Sequence, residues 1–345
     1  MREGGGSRKS RMRWSGIVDY AKYVFCDTLT LLMTLVLHWR KRQMLNSSLF
    51  PQCSTRMVTP GMRSRKKRNK SRIEAERVEA GMKIQMLVSA VNQDVRTLAE
   101  RMNIRTDAVI INQCGQYGYE EYEHNSCSIH CYSFKERGVG LSRNSALMRA
   151  QAEISVFADE DIAYEDGYEK KIEEAFDKNK EADMILFNVK VAPSRRTYWN
   201  EGEKRIHWYN YGRYPAYSIA ARTDSLHRAN VSFSLLFGGG AKYSNGEDSL
   251  FLRDCLKKGL KIFASTEVIG EEKERESTWF HGYNDKFFRD RGVLYHFLYG
   301  KMAVPFSLRF LMAHRDEMCG EIGWKKAYGL MKEGIEEGKG KTGQK

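Results

Sequence analysis

No stretch of this 345-residue chain is both long and apolar enough to read as a membrane span, since a helix that crosses a bilayer needs about 20 predominantly apolar residues. The nearest approach, YVFCDTLTLLMTLVLHW at 23–39, is interrupted by Asp27 and three threonines. It also lacks a signal-peptide cleavage pattern. A disulfide framework is missing too. Seven cysteines, an odd number at irregular spacing, fit a reducing compartment better than a stapled secreted domain. EHNSCSIHC (123–131) crowds His124, Cys127, His130 and Cys131 together. That spacing repeats no closed tetrahedral zinc pattern, and SIHCYSF (128–134) alternates like a strand, which sends neighbouring ligands to opposite faces.

Charge of one sign is abundant only at one end. The chain carries 57 Lys+Arg against 44 Asp+Glu, a net of +13 that by itself suggests a nucleic-acid binder. Residues 1–81 hold 18 of the basic and 6 of the acidic residues, leaving 39 against 38 for residues 82–345. A charge-neutral folded part argues against nucleic acid as a partner. Clusters such as RKSRMR (8–13) and RSRKKRNK (63–70) show no helical or strand period, so residues 1–81 are expected to be a disordered or non-native upstream extension. MKIQ at 82–85 leads directly into the first predicted strand.

From residue 83 the pattern alternates. KIQMLVSAV, DAVIIN (107–112), SIHCYSF, ISVFA (154–158) and DMILFNVK (183–190) read as strands. DVRTLAERM (94–102), GLSRNSALMRAQ (140–151) and DGYEKKIEEAFDKNK (166–180) carry apolar residues at helical spacing. Such alternation predicts an α/β fold with a mostly parallel sheet flanked by helices. Between 193 and 230 an aromatic, basic and polar segment breaks the rhythm, and short antiparallel strands are expected there. Trp199, Trp208 and Tyr217 in it either stack on sugar rings or pack a second layer. LLFGGGAKYSNGED (235–248), with three consecutive glycines and then Asn-Gly, is expected to contain a flexible loop that runs directly into the acid pair Glu247-Asp248.

Three motifs carry chemistry. ISVFADED (154–161) ends an apolar strand in Asp159, Glu160 and Asp161. Ligands gather at the carboxyl ends of strands in open α/β sheets, and paired carboxylates there offer hard oxygens to a divalent cation. GVGLSRNSAL (138–147) puts Arg143 and Asn144 at a helix start behind two glycines, where Arg143 could grip a phosphate or fix an aspartate. GEDSLFLRDCLKKG (246–259) opens a helix with Glu247 and Asp248, which are good capping residues in any protein and also candidates for a base.

Taken in order, KIQMLVSAVNQD (83–94), the Arg-Asn of GVGLSRNSAL, ADED (158–161) and GED (246–248) resemble the family 2 glycosyltransferases. These are inverting enzymes of the GT-A fold that commonly build bacterial surface polysaccharides. The resemblance covers residues 82 to about 280. It implies transfer of a sugar from a nucleotide-diphosphate donor, UDP-linked in the first instance, to a glycan or lipid-linked acceptor hydroxyl. Asp161 and Asp159 would hold Mn²⁺ or Mg²⁺ with His281, Asp248 would be the base and Glu247 would orient it. Ser89, Val91, Asn92, Asn112 and Gln113 would line the nucleoside pocket, with Arg143, Asn144 and Asp159 completing the donor site. INQCG (111–115) departs from the family by replacing the carboxylate that usually reads uracil with Asn112 and Gln113.

The expected organisation is an extension at 1–81, a catalytic domain at 82–275, a helical region at 276–334 and a disordered tail at 335–345. GVLYHFLYGKMAVPFSLRFLMAHRDEMCGEIGWKKAYGLMKEG (292–334) suggests two or three helices broken at Pro305, with peripheral contact to the inner membrane leaflet as an option for a cytoplasmic protein. Two alternatives stand beside the transferase. A sugar nucleotidyltransferase would need a Gly-rich basic loop after the first strand, which SAVNQD does not supply. A non-catalytic nucleotide- or glycan-binding module would have no need of all the acidic motifs.

Overall fold

A computed structural model describes residues 81–193, 195–273 and 282–342. The expectation for residues 1–80 and the candidate ligand His281 lie outside the described residues.

Ten strands form one sheet in the order β3-β4-β2-β1-β5-β9-β7-β10-β6, with β8 paired to β10. β1 (Ile84–Val91), β2 (Asp107–Gln113), β4 (Cys127–Phe134), β5 (Ile154–Asp159), β7 (Met184–Lys190) and β10 (Ile262–Glu272) run in one direction. Their antiparallel companions are β3 (Gly118–His124), β6 (Ile162–Tyr164), β8 (Lys204–Ile206) and β9 (Ile219–Arg222). The parallel centre is buried on both faces, which is why β1, β2, β5 and β7 are almost continuously apolar rather than alternating. β8 and β9 fall in the aromatic segment, where short antiparallel strands are expected.

Helices α1 (Val95–Arg101), α2 (Val139–Leu147), α3 (Tyr168–Lys178), α4 (Thr223–Ala229) and α5 (Glu247–Lys257) link and flank the strands. One core layer joins Met86, Val88, Ile110 and Val156 to Ile172 and Phe176 of α3. The other joins Leu87, Ile111, Phe157 and Leu186 to Phe233, Phe251 and Leu252. The second layer fixes the site, because Phe251 of α5 stacks on Phe233 with centroids 4.0 Å apart and meets Phe157 of β5 edge-on at 5.8 Å.

Four helices follow: α6 (Asp285–Tyr299), α7 (Ala303–Ala313), α8 (Arg315–Met318) and α9 (Trp324–Thr342). α9 corrects the expectation of a disordered tail from 335, because the helix continues to Thr342 and Ile335 is buried. The local composition is polar and Gly-rich, but α6 supplies the tertiary partner that propensity alone does not reveal. Pro305 lies in the first turn of α7, where the missing N–H costs little.

Candidate functional site

β1 and β5 lie side by side with Ser89 opposite Asp159. The parallel register brings both strands out at the same edge, and the acidic triplet turns back across it, so that Glu160 accepts from the Val91 N–H. Asn92 follows in the left-handed region at φ 53°, a conformation that Asn tolerates better than most residues. On the far side of α2, the Asn144 side chain clamps the Phe233 backbone at both its N–H and its C=O. That pair of bonds positions the second aromatic layer, and Asn144 has little left to offer a donor.

At the centre is Arg143, 4% exposed, with its guanidinium facing three carboxylates. Nη2 donates to both oxygens of Asp159 at 3.0 and 3.2 Å. Nη1 donates to Glu247 at 3.1 Å and to Asp248 at 2.7 Å. Burial works against the charge of Arg143, but Asp159, Asp248 and Glu247 outweigh it and hold its pKa above the ordinary value. Nε is buried and has no partner, and the guanidinium carbon rests 5.4 Å from the centre of the Phe233 ring.

Glu247 and Asp248 do not act as caps. The N-cap is Gly246 at φ 114°, without a side-chain capping bond, and both carboxylates turn to Arg143. Gly246 is required on two counts, because a Cβ there would also meet Leu294 of α6 at 2.5 Å. Burial pushes the Asp248 carboxyl above the usual carboxylate range, the neighbouring Glu247 adds to this, and Arg143 opposes it. The Ala216 main chain, in the segment before β9, also acts on the same carboxylate and favours its ionised form. Tyr217, the next residue, is half-buried, and burial pushes its phenol above the ordinary value, with Tyr198, Glu272, Asp159 and Asp248 adding to this.

Asp161 is distinct from Asp159. Burial raises its carboxyl to about 6, and Asp159, Glu272 and Glu160 add their repulsion. Glu272 in turn pairs with Arg195 at 2.5 Å. Among the described residues, no group of three or more His, Cys, Asp or Glu side chains is arranged to hold a metal ion. Asp159 and Asp161 belong to no such group among the described residues, where Asp159 is instead engaged with Arg143, and the third expected ligand, His281, lies outside them. The chemistry at Asp161 still fits a hard cation that completes its shell elsewhere. The donor is a carboxylate oxygen among like charges, and Mg²⁺ is commonly held by one or two carboxylates together with substrate phosphates.

The remaining candidates are largely engaged in shaping the rim. Asn112 accepts from the Gln93 N–H at 3.1 Å and donates to the Gln93 carbonyl at 2.8 Å. Gln113 accepts from the Gly138 N–H at 2.6 Å, and the Val139 N–H donates to Gly239. Two of the leading amides of α2, those of Gly138 and Val139, are thus already engaged within the protein. Ser89 accepts from Ser142 at 3.0 Å, and Asn92 accepts from exposed Arg137.

The glycine loop is tied down rather than flexible, with the Gly238 N–H donating to the Tyr243 carbonyl and the Tyr243 N–H donating to the Leu236 carbonyl. A Cβ on Gly238 would lie 2.7 Å from the Glu247 carboxyl carbon, so Gly238 serves close packing beside the acids, and a Cβ on Gly240 would lie 3.1 Å from the Gly138 nitrogen. Trp208 and Tyr209 are about half exposed, whereas Trp199 and Tyr217 are half-buried. Glu272 and Ala216 are site neighbours that sequence reasoning missed, and no local motif marks them.

No protein-family model matches the chain, and no curated protein matches it. Among solved structures, S. aureus TarS 1–349 in complex with UDP-GlcNAc is 16% identical over 69% of this chain and 74% of its own, with a TM-score of 0.49. Mannosyltransferase PcManGT from Pyrobaculum calidifontis, in complex with GDP-Man and Mn²⁺, is 11% identical over 93% and 86%, with a TM-score of 0.43. Likenesses at this level carry no argument about activity, and the functional reading rests on the chain's own residues.

Proposed function

We propose that this chain is an inverting glycosyltransferase of the GT-A type. Its donor would be a nucleoside-diphosphate sugar, UDP-linked in the first instance. Its acceptor would be a hydroxyl of a glycan or lipid-linked molecule in bacterial surface-polysaccharide synthesis, on the cytoplasmic side with peripheral membrane contact. One observation carries the reading: Arg143 gathers a strand-end carboxylate, Asp159, and two helix-start carboxylates, Glu247 and Asp248, into one cluster at the carboxyl edge of the parallel strands. Without a ligand, this is an expensive accumulation of buried charge for a merely structural feature.

Asp248 is the base in this mechanism. Its carboxylate takes the acceptor proton, the acceptor oxygen attacks the anomeric carbon on the face opposite the diphosphate, and the nucleoside diphosphate leaves with the bonding pair. Arg143 and Glu247 keep Asp248 oriented. Asp161 would hold Mn²⁺ or Mg²⁺ against the diphosphate, where such an ion offsets the charge of a departing phosphate. Because the Asp248 carboxyl titrates above its usual range, the base form grows as pH rises, and turnover climbs from acidic towards mildly alkaline solution.

Asp248→Asn tests the assignment. Nucleotide affinity should be nearly unchanged while turnover falls by roughly 10²–10⁴, the scale of a positioned general base. Calorimetry with nucleotide and Mn²⁺, run beside a nucleotide-release assay, separates the two quantities. An undiminished rate in this variant would remove Asp248 from the chemistry.

A further inference from the structure

The amphipathic helix α7 carries a surface that the catalytic reading does not use. Its inner side is accounted for: Ala303, Ser307 and Leu311 are buried, Phe306 stacks on Tyr299 at 4.2 Å, and Phe310 packs against Tyr295 and under Arg291. Its outer side is apolar. Met302, Pro305 and Met312 are exposed, Met312 at 70%, and half-buried Leu308 lies between them. The spacing 305, 308, 312 places Pro305, Leu308 and Met312 along one stripe of the helix, with Arg309 beside it and Met302 just before the first turn. In water such a stripe is unfavourable, and nothing in the catalytic edge requires it.

Charge identifies what covers it. Residues 300–315, GKMAVPFSLRFLMAHR, contain Lys301, Arg309, His314 and Arg315 and no acidic residue. Lys301 and Arg309 are exposed beside the methionines. The first acids, Asp316 and Glu317, come only in α8, and Glu317 lies 3.4 Å from His314. An apolar stripe flanked by cations is the pattern of a helix lying in the plane of an anionic membrane, its side chains among the acyl chains and its cations at the headgroups. No described helix is long and apolar enough to cross a membrane, so the contact is one of lying on rather than spanning.

We infer that α7 docks this protein on an anionic lipid surface through Met302, Pro305, Leu308 and Met312, with Lys301 and Arg309 facing the headgroups. The inference stands on α7 alone and holds whether or not the glycosyltransferase reading does.

Hydrogen exchange of the full chain, with phosphatidylcholine vesicles and with vesicles also containing phosphatidylglycerol, tests it. The anionic vesicles should slow exchange in peptides covering 300–315, and the neutral ones should not. The double variant Met302→Asp/Met312→Asp should lose that protection while keeping its unfolding midpoint. Lys301→Glu is a milder probe should the double variant misfold, and should weaken vesicle affinity by about fivefold or more, since one basic residue near such a surface contributes about 1 kcal/mol. Vesicle binding with 300–315 unprotected would overturn the inference, because residues 1–81 or another surface would then be responsible. Absence of binding to the anionic vesicles would overturn it as well. So would a dimer that Met312→Asp dissociates, since a second copy would then cover the stripe.

Discussion

Arg143 bears on stability as well as chemistry, because one buried cation offsets Asp159, Glu247 and Asp248 together. Arg143→Met keeps much of the side-chain volume and removes the charge, leaving three acids crowded without it. Losing one member of a buried ionic cluster costs about 3–5 kcal/mol. Urea unfolding at neutral pH should show a loss of that order, and the deficit should shrink in acid, where the stranded carboxylates can take up protons. A loss below about 1 kcal/mol, with no change on acidification, would mean that solvent screens the cluster.

Asp161 allows a second test with a defined sign. Its folded carboxyl titrates at about 6 against an ordinary 3.8, raised by burial and then by Asp159, Glu272 and Glu160. The folded chain therefore binds this proton more tightly than the unfolded chain does. Its contribution to stability is complete below about pH 3.8 and is lost as pH rises through about 6. In metal-free buffer, Asp161→Asn should flatten the fall in melting temperature between those values, and a slope equal to wild type would remove Asp161 from the account. The acids themselves were legible in the sequence, since strand-end and helix-start positions mark Asp159, Asp161, Glu247 and Asp248. Their convergence on one guanidinium was not, because Arg143 and Asp248 lie 105 residues apart.

Helices α6 and α9 cross where glycines let their backbones touch. A Cβ on Gly292 would lie 2.1 Å from the Met331 carbonyl oxygen, and one on Gly334 would lie 2.0 Å from that of Arg289. Gly292→Ala should destabilise by about 1–3 kcal/mol, the usual penalty for overpacking a close contact. Gly329 in α9 has open space around it, so Gly329→Ala should be neutral or stabilising by up to about 1 kcal/mol. Equal effects at the two positions in thermal unfolding would count against a tight crossing. The same crossing explains why α9 outlasts its helix-poor sequence. Buried parallel strands were legible as apolar runs. β3, reading GYEEYEH on the sheet edge, was not, because an edge strand facing solvent carries charges that obscure its period. β10 escaped for a related reason: its exposed Glu267 and mixed small residues interrupt the apolar signal.

At the scale of the molecule, the charge-neutral part of the chain places its acidic cluster where β1 and β5 leave the sheet. α5 is held there from one side by the aromatic stack of Phe157, Phe233 and Phe251 and from the other by Leu294 against Gly246. The α/β class followed from the alternation of strand and helix patterns, and the strand order required the three-dimensional structure, since β9 inserts between β5 and β7 with no local signal for that pairing. On the proposed function, this edge cleaves a nucleoside-diphosphate sugar. The most direct measurement is release of free nucleoside diphosphate from a panel of UDP-, GDP- and dTDP-linked sugars incubated with the full chain and Mn²⁺. At least one member should be turned over, and far more slowly by Asp248→Asn. Release from none of them, or release as fast in Asp248→Asn as in the wild type, would contradict the proposed function.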